Sequence, residues 1–302
     1  MPQRQTRVVE GFRGLRRESA LALESAWLRV LPRLTRDRLW VSVDGLRFYG
    51  SRAHARFLYK VLKGGYEPLS TSLFAGAIQP GMVALDLGAY LGWYTLLAAR
   101  DVGPYGKVYA FEADPRTFRF LRHNVRLNGY GGRVATVPKA VSDEIGAMPF
   151  YLHAGLGWNS GLWKHEGAER AVTVDVTTVD ATLGDQRVDV VKMDIEGAEI
   201  RALRGMKRVL SRSPDVVMLV EFNAKALAGA GGSLQGLLQE LRELGFDTAL
   251  LDDQTRTIRP VDDAARELDQ QQRKGKMNFA CWKGAAKPIA ADRLASRSLL
   301  QK

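Results

Sequence analysis

Short apolar runs at 82–87, 107–112, 133–138, 188–193 and 215–221 punctuate the chain. Between them, at about 70–78, 91–101, 115–128 and 197–210, apolar residues recur at helical spacing. This alternation predicts βαβ units: a parallel sheet with helices on both faces. Two stretches of period 2, Met148–Leu152 and Ala171–Thr177, predict an inserted hairpin whose loop is the glycine-rich segment 154–161. A helix near 233–244 and strands near 246–251 and 277–283 complete the pattern. Upstream, Asp44-Gly45 between Leu39–Val43 and Leu46–Tyr49 is a strong hairpin signal. A short helix is expected over 52–63, closed by Lys63-Gly64-Gly65. In 12–34, Phe12, Leu15, Leu23, Trp27, Val30, Leu31 and Leu34 recur helically among arginines, with Pro32 kinking or ending the helix.

Composition narrows the class. The 302 residues are 46% hydrophobic and 25% charged, enough for a large core and unlike a disordered or collagen-like chain. No apolar run approaches the roughly 18 residues that span a bilayer, so no integral membrane protein is expected. Cys281 is the only cysteine, which excludes an intramolecular disulfide and a cysteine-based zinc site and suits a reducing compartment. The N-terminus lacks the apolar core of a signal peptide, and a cytoplasmic location is expected. The formal charge is +11, and residues 1–63 alone contribute +9 of it. Such a basic patch suits nucleic acid, anionic lipid or an acidic partner, and equally a solvated arginine face. The helix in 12–34 fits a membrane surface, giving peripheral contact through residues 1–35, or packing on its own domain. The expected organisation is a basic helix-and-hairpin appendage (1–65), a catalytic domain (66–283) and a basic tail (284–302).

Three strand ends carry candidate chemistry. In Val83–Tyr94 an apolar strand ends in Asp86, and a turn with Gly88 and Gly92 feeds a helix, a nucleotide-type site. The spacing is not that of the dinucleotide fingerprint. Asp86 beside the turn would repel a diphosphate and suit an ammonium or sulfonium. Glu112 lies at the end of the next strand, where doubly wound folds place the acid that accepts the ribose hydroxyls. In Lys192–Glu199, three carboxylates crowd one strand-to-helix turn. Capping accounts for one or two of Glu196 and Glu199; Asp194, at the strand tip facing the same crevice as Asp86 and Glu112, calls for a functional role.

Together these segments resemble the FkbM family of S-adenosylmethionine-dependent methyltransferases. The resemblance runs over roughly 66–283, carried by Tyr66-Glu67-Pro68, Asp86 to Gly92, Gly106 to Pro115, Asn124 to Gly129, Ala140-Val141-Ser142-Asp143 and Lys192 to Glu199. It implies a class I methyltransferase (Rossmann-like) α/β fold, a doubly wound seven-stranded sheet with its last strand antiparallel. It implies S-adenosyl-L-methionine as cofactor and methylation of a hydroxyl on a sugar, glycan or secondary metabolite. By that resemblance Glu67, Asp86, Gly88, Ala89, Tyr90 and Gly92 surround the methionine portion, Glu112 holds the ribose, Ala140, Val141, Ser142 and Asp143 line the adenine, and Asp194 lies near the methyl group. The family usually has Asn where this chain has Tyr90, whose ring would narrow the pocket or face the sulfonium.

A hydroxyl acceptor needs a base. Asp194 is the first candidate, followed by Glu196 and His165; His153 and the Asn159-Ser160 pair also fall in the inserted hairpin region. Oxygen ligands on Asp194, Glu196 and Glu221 would suit Mg²⁺, but their spacing does not establish a site and no metal is expected. Two alternatives compete: an RNA methyltransferase using the basic N-terminal region, and a non-enzymatic lipid- or partner-binding module with a vestigial pocket. Against RNA, the chain has neither an Asn-Pro-Pro-Tyr-like motif nor an aromatic RNP-like strand.

Overall fold

Asp44 (φ 49°) and Gly45 (φ 78°) both take left-handed backbone, the conformation a two-residue hairpin turn requires. They join strands β1 (Leu39–Val43) and β2 (Leu46–Gly50) in the antiparallel register Val43↔Leu46, as the Asp-Gly signal predicts. Leu39, Val41, Leu46 and Phe48 are buried, while Trp40 and Tyr49 stack on the other face with centroids 4.6 Å apart. The helix Ala55–Leu62 follows, with Phe57, Leu58 and Val61 buried. The computed structural model describes residues 38–64, 66–153, 160–164, 167–261 and 276–286. Its chain divides into two units, Met1–Tyr66 and Glu67–Lys302. The expected helix over 12–34, the loop 154–159, His165 and the tail from 287 lie outside the described residues.

The second unit is built on β3 (Val83–Leu87), β4 (Lys107–Phe111), β5 (Val134–Val137), β9 (Val190–Met193), β10 (Val216–Asn223), β11 (Asp247–Asp252), β12 (Thr257–Pro260) and β13 (Lys276–Lys283). Their spatial order is β12-β11-β13-β10-β9-β3-β4-β5. The strands β10, β9, β3, β4 and β5 run parallel, and β13 is antiparallel to both β10 and β11. This is the class I methyltransferase sheet with its antiparallel last strand. The count of seven is corrected to eight, because β12 pairs antiparallel with β11 at the edge. Its sequence, Thr-Ile-Arg-Pro, has no apolar alternation, and its proline lacks an N–H donor, which an edge tolerates. The inserted hairpin forms as β7 (Gly146–His153) against β8 (Ala168–Thr177), and β6 (Ala140–Val141) joins β8 in parallel to make a separate three-stranded sheet.

The helix expected over 197–210 is two: Glu199–Arg204 and Lys207–Arg212. The chain turns between them at Gly205, where a Cβ would stand 2.0 Å from the Ser142 carbonyl oxygen. That close approach holds the helix break against the segment just after β6.

Alternation then sorts the side chains of the large sheet. Leu85, Leu87, Val191, Met193, Met218, Val220 and Phe279 share one face and pack with Ala202, Leu203, Val209, Leu237 and Leu241 of the helices. The opposite face carries Asp86 paired in register with Lys192, and Glu221 paired with Asn278. One face is therefore all core, and the other holds a row of charges leading to the strand ends.

Candidate active site

The glycine turn sits where two strand ends almost touch. Gly88 (φ 85°) has no room for a side chain, since a Cβ would lie 1.8 Å from the Asp194 carbonyl oxygen. The N–H groups of Gly88 and Ala89 donate to the Phe111 carbonyl at 3.0 and 2.8 Å. Gly92 (φ 93°) opens the helix Trp93–Asp101, and a Cβ there would meet Leu121 Cδ1 at 2.9 Å. Asn124 Nδ2 donates to the Leu91 carbonyl at 2.9 Å and pins the loop to the next helix. Tyr90 adopts φ 51°, a left-handed conformation that Asn accepts more readily than a large side chain; that is the physical reason for the asparagine usual at this position. Burial, with Glu112 and Asp114 nearby, pushes the Tyr90 phenol far above its ordinary range.

Glu112 closes the loop from β4. Its Oε2 accepts from the Tyr90 N–H and its Oε1 from the Asp114 N–H, both at 2.8 Å. Each oxygen keeps a lone pair for a donor such as one hydroxyl of a diol. Burial raises its pKa to about 8. The Glu112 N–H donates to the Val137 carbonyl at 3.1 Å, which brings the segment leading to Ala140–Asp143 alongside. There Ala140, Val141 and Ser142 are buried, while Asp143 pairs with Arg201 at 2.7 Å. Asp86 turns inward: its Oδ2 accepts from Thr95 Oγ1 at 2.5 Å, and burial raises its pKa to about 6.

At the ends of β9 and β10, carboxylate oxygens of Asp194, Glu196 and Glu221 lie within 4.8 Å of one another. The turn that presents Asp194 and Glu196 is strained at Glu196, φ 48°, while Gly197 takes φ 101° as a glycine can. Glu196 Oε2 accepts from Asn223 Nδ2 at 2.9 Å, and its backbone carbonyl accepts from Trp163 Nε1 at 2.7 Å. Lys276 Nζ donates to Glu196 Oε1 at 2.5 Å and also to Glu221. Glu221 is hydrogen-bonded to Asp194 and held below the usual carboxylate range: burial would raise it, but Lys276 and Lys192 more than offset that. Asp194 lies well above its ordinary value, through burial and the charge of Glu221. Asp194 is thus biased toward its protonated form and Glu221 toward its ionised form. Glu199 serves the turn itself: its Oε1 accepts from the Gly197 N–H at 3.0 Å, just before the helix Glu199–Arg204.

Residues 86–248, more than half of the chain, match the methyltransferase FkbM domain. The chain belongs to the FkbM methyltransferase family. Two fungal proteins are similar in sequence. Methyltransferase sdnD of Sordaria araneosa is 26% identical over 200 residues, 55% of this chain and 74% of its own. Methyltransferase 1 of Beauveria bassiana is 26% identical over 144 residues, 40% and 57% of the two chains. Among solved structures, the methyltransferase FkbM of Methylobacillus flagellatus aligns with TM-score 0.44 and 14% identity, over 87% of this chain and 60% of that one.

This FkbM methyltransferase uses S-adenosylmethionine, and the loop fits it: Gly88 leaves no side chain between the loop and the Asp194 backbone, and the buried Glu112 carboxyl keeps lone pairs open to a donor. The structure brings Asp194, Glu196 and Glu221 together. His153 does not join them; its backbone N–H donates to Ser160 Oγ at 3.0 Å, closing the hairpin loop.

Three contributors to the FkbM site escaped the sequence reading as functional residues. Lys192 is buried with no hydrogen-bond partner for Nζ, 5.1 Å from the Tyr94 ring centroid. Burial would lower its pKa, but Glu67, Asp194, Glu221 and Asp86 raise it, so it stays an ammonium. A lysine inside the apolar strand Val190–Met193 was the available signal. Tyr94 donates its hydroxyl to Glu67 Oε2 at 2.6 Å, which ties Glu67 to the first turn after the loop. Lys276 has no sequence signal, because its partners lie 80 and 55 residues away.

Proposed function

We propose that this methyltransferase acts on a hydroxyl oxygen of a sugar, glycan or hydroxylated secondary metabolite. The observation that carries the reading is the abutment of Gly88 on Asp194, which joins the cofactor loop to a proton-accepting carboxylate pair. The groups around that pair, Glu196, Asn223 and Lys276, are hydrogen-bonding and charged, which favours a polyhydroxyl acceptor over an apolar one.

Bound S-adenosylmethionine supplies a methyl group on a sulfonium, and the carbon–sulfur electron pair leaves with the sulfur. The protein's part is alignment and proton transfer. Glu112 would hold the ribose, and Gly88 and Gly92 let the loop pack against Asp194 and Leu121. The hydroxyl proton passes to the Asp194 carboxylate as the oxygen lone pair forms the new carbon–oxygen bond. A positive charge beside Asp194 would favour its ionised form and so its part as base.

Calorimetric titration with S-adenosylmethionine and S-adenosylhomocysteine, beside Glu112→Ala, tests the cofactor site. Labelled methyl transfer to a panel of sugars, glycans, polyketides and RNA tests the acceptor. Transfer to hydroxylated small molecules or glycans, lost in Asp194→Asn with cofactor binding intact, is expected. Transfer to RNA alone would overturn the reading.

A further inference from the structure

A cluster of Asp194, Glu196 and Glu221 with oxygens within 4.8 Å of one another is the kind of arrangement that takes a divalent cation. Here the cation is a side chain. Lys276 enters from β13, donates to Glu196 Oε1 at 2.5 Å and to Glu221, and its attraction to Asp194 is also felt. A second ammonium, the buried Lys192, has no hydrogen-bond partner for its Nζ and interacts by charge with Asp194 and Glu221. A metal ion entering between the carboxylates would have to displace Lys276 or sit against its charge, which repulsion opposes. Two N–H groups of Lys276 are engaged; the third has no partner among the described residues, and the side chain is 43% exposed.

We propose that Lys276 is a catalytic residue: the resident cation of the acceptor site, whose third N–H donates to the acceptor oxygen in place of a divalent metal. The inference rests on the hydroxyl-methylation reading above. As the hydroxyl proton moves to Asp194, negative charge develops on the oxygen, and a fixed ammonium beside it stabilises that charge without reorganisation. Glu196 and Glu221 hold the ammonium in place, and Asn223 holds Glu196.

The test uses the full chain. In titration with Mn²⁺ alone, followed by electron paramagnetic resonance of the free ion, the wild type is expected to show no saturable binding. Lys276→Ala and Lys276→Ser, which vacate the position, are expected to gain it, and Asp194→Asn combined with Lys276→Ala to lose it again. Binding of S-adenosylhomocysteine checks that each variant is folded. With an acceptor from the hydroxyl panel, wild-type turnover is expected to resist EDTA. Turnover of Lys276→Ala is expected to be lost and restored by Mn²⁺, with Lys276→Arg retaining more than Lys276→Ala. Mn²⁺ binding by the wild type that Asp194→Asn removes would overturn the proposal. So would loss of wild-type turnover in EDTA, metal-free turnover by Lys276→Ala at the wild-type level, or failure of both folded variants to gain Mn²⁺. The Mn²⁺ titration needs no acceptor, so failure of the acceptor screen and failure of this proposal are separate results.

Discussion

Gly88 and Glu112 show how much of the site rests on single residues. A methyl group on Gly88 would drive into the Asp194 carbonyl at 1.8 Å and force a left-handed backbone on a side chain. Gly88→Ala is therefore expected to cost upwards of about 3 kcal/mol, read as a drop in the midpoint of chemical denaturation. Glu112 combines binding with stored cost. Its carboxyl has a pKa of about 8 in the fold, above its unfolded value, so its contribution to stability is full below the unfolded pKa and is lost as pH rises through 8. Glu112→Gln is expected to raise the thermal midpoint at pH 8.5, leave it nearly unchanged at pH 4, and abolish cofactor binding by calorimetry. A thermal midpoint at pH 8.5 no higher than the wild type's would refute the first part. Both residues were legible in the sequence, because a glycine after a strand-ending acid and an acid at the next strand's end are local signals. The strain at Tyr90 was not, since it exists only in the turn's φ.

At the scale of elements, the strands and most helices follow from hydrophobic period, which is local and needs no partner. What escaped are elements made by distant contacts. The split of 197–210 into two helices depends on Ser142 reaching Gly205, and β12 exists only as an edge to β11. The helix Pro68–Ala77 has no side-chain cap from its own N-cap residue, Glu67. Asp253 supplies one instead, accepting from the Leu69 and Ser70 N–H groups at 2.8 and 3.1 Å and from Ser70 Oγ at 2.8 Å, across more than 180 residues of chain. Asp253→Ala is expected to destabilise by about 1–3 kcal/mol in urea titration and to weaken S-adenosylhomocysteine binding through displacement of Glu67. Destabilisation no greater than that of an exposed Asp→Ala change, such as Asp185→Ala, would show the cap to be dispensable.

For the whole molecule, buried acids dominate the response to pH. Asp86, Glu199 and Glu112 have pKa values of about 6, 7 and 8 in the fold, each raised chiefly by burial. Each therefore stabilises fully below its unfolded pKa and loses that contribution as pH climbs. The cofactor-free protein is expected to melt at progressively lower temperature between about pH 5 and pH 8; a flat or rising profile would contradict the burial of these groups. The raised Asp194 beside the lowered Glu221 makes a second prediction. Binding of the cationic S-adenosylmethionine is expected to release more protons than binding of the neutral-sulfur S-adenosylhomocysteine, measured by calorimetry in buffers of different ionisation enthalpy. Asp194→Asn should erase the difference. Hydrophobic period, the turn glycines and the acids at strand ends were determined by the sequence alone, because each acts over a few neighbouring residues. Tertiary structure decided the rest: the register of β9, β10 and β13 places Lys192, Asp194, Glu221 and Lys276 on one face, and burial there raises the pKa of Asp194. Neither outcome can be read from a linear chain, since register joins residues far apart in sequence and a buried charge takes its energy from every neighbour the fold supplies.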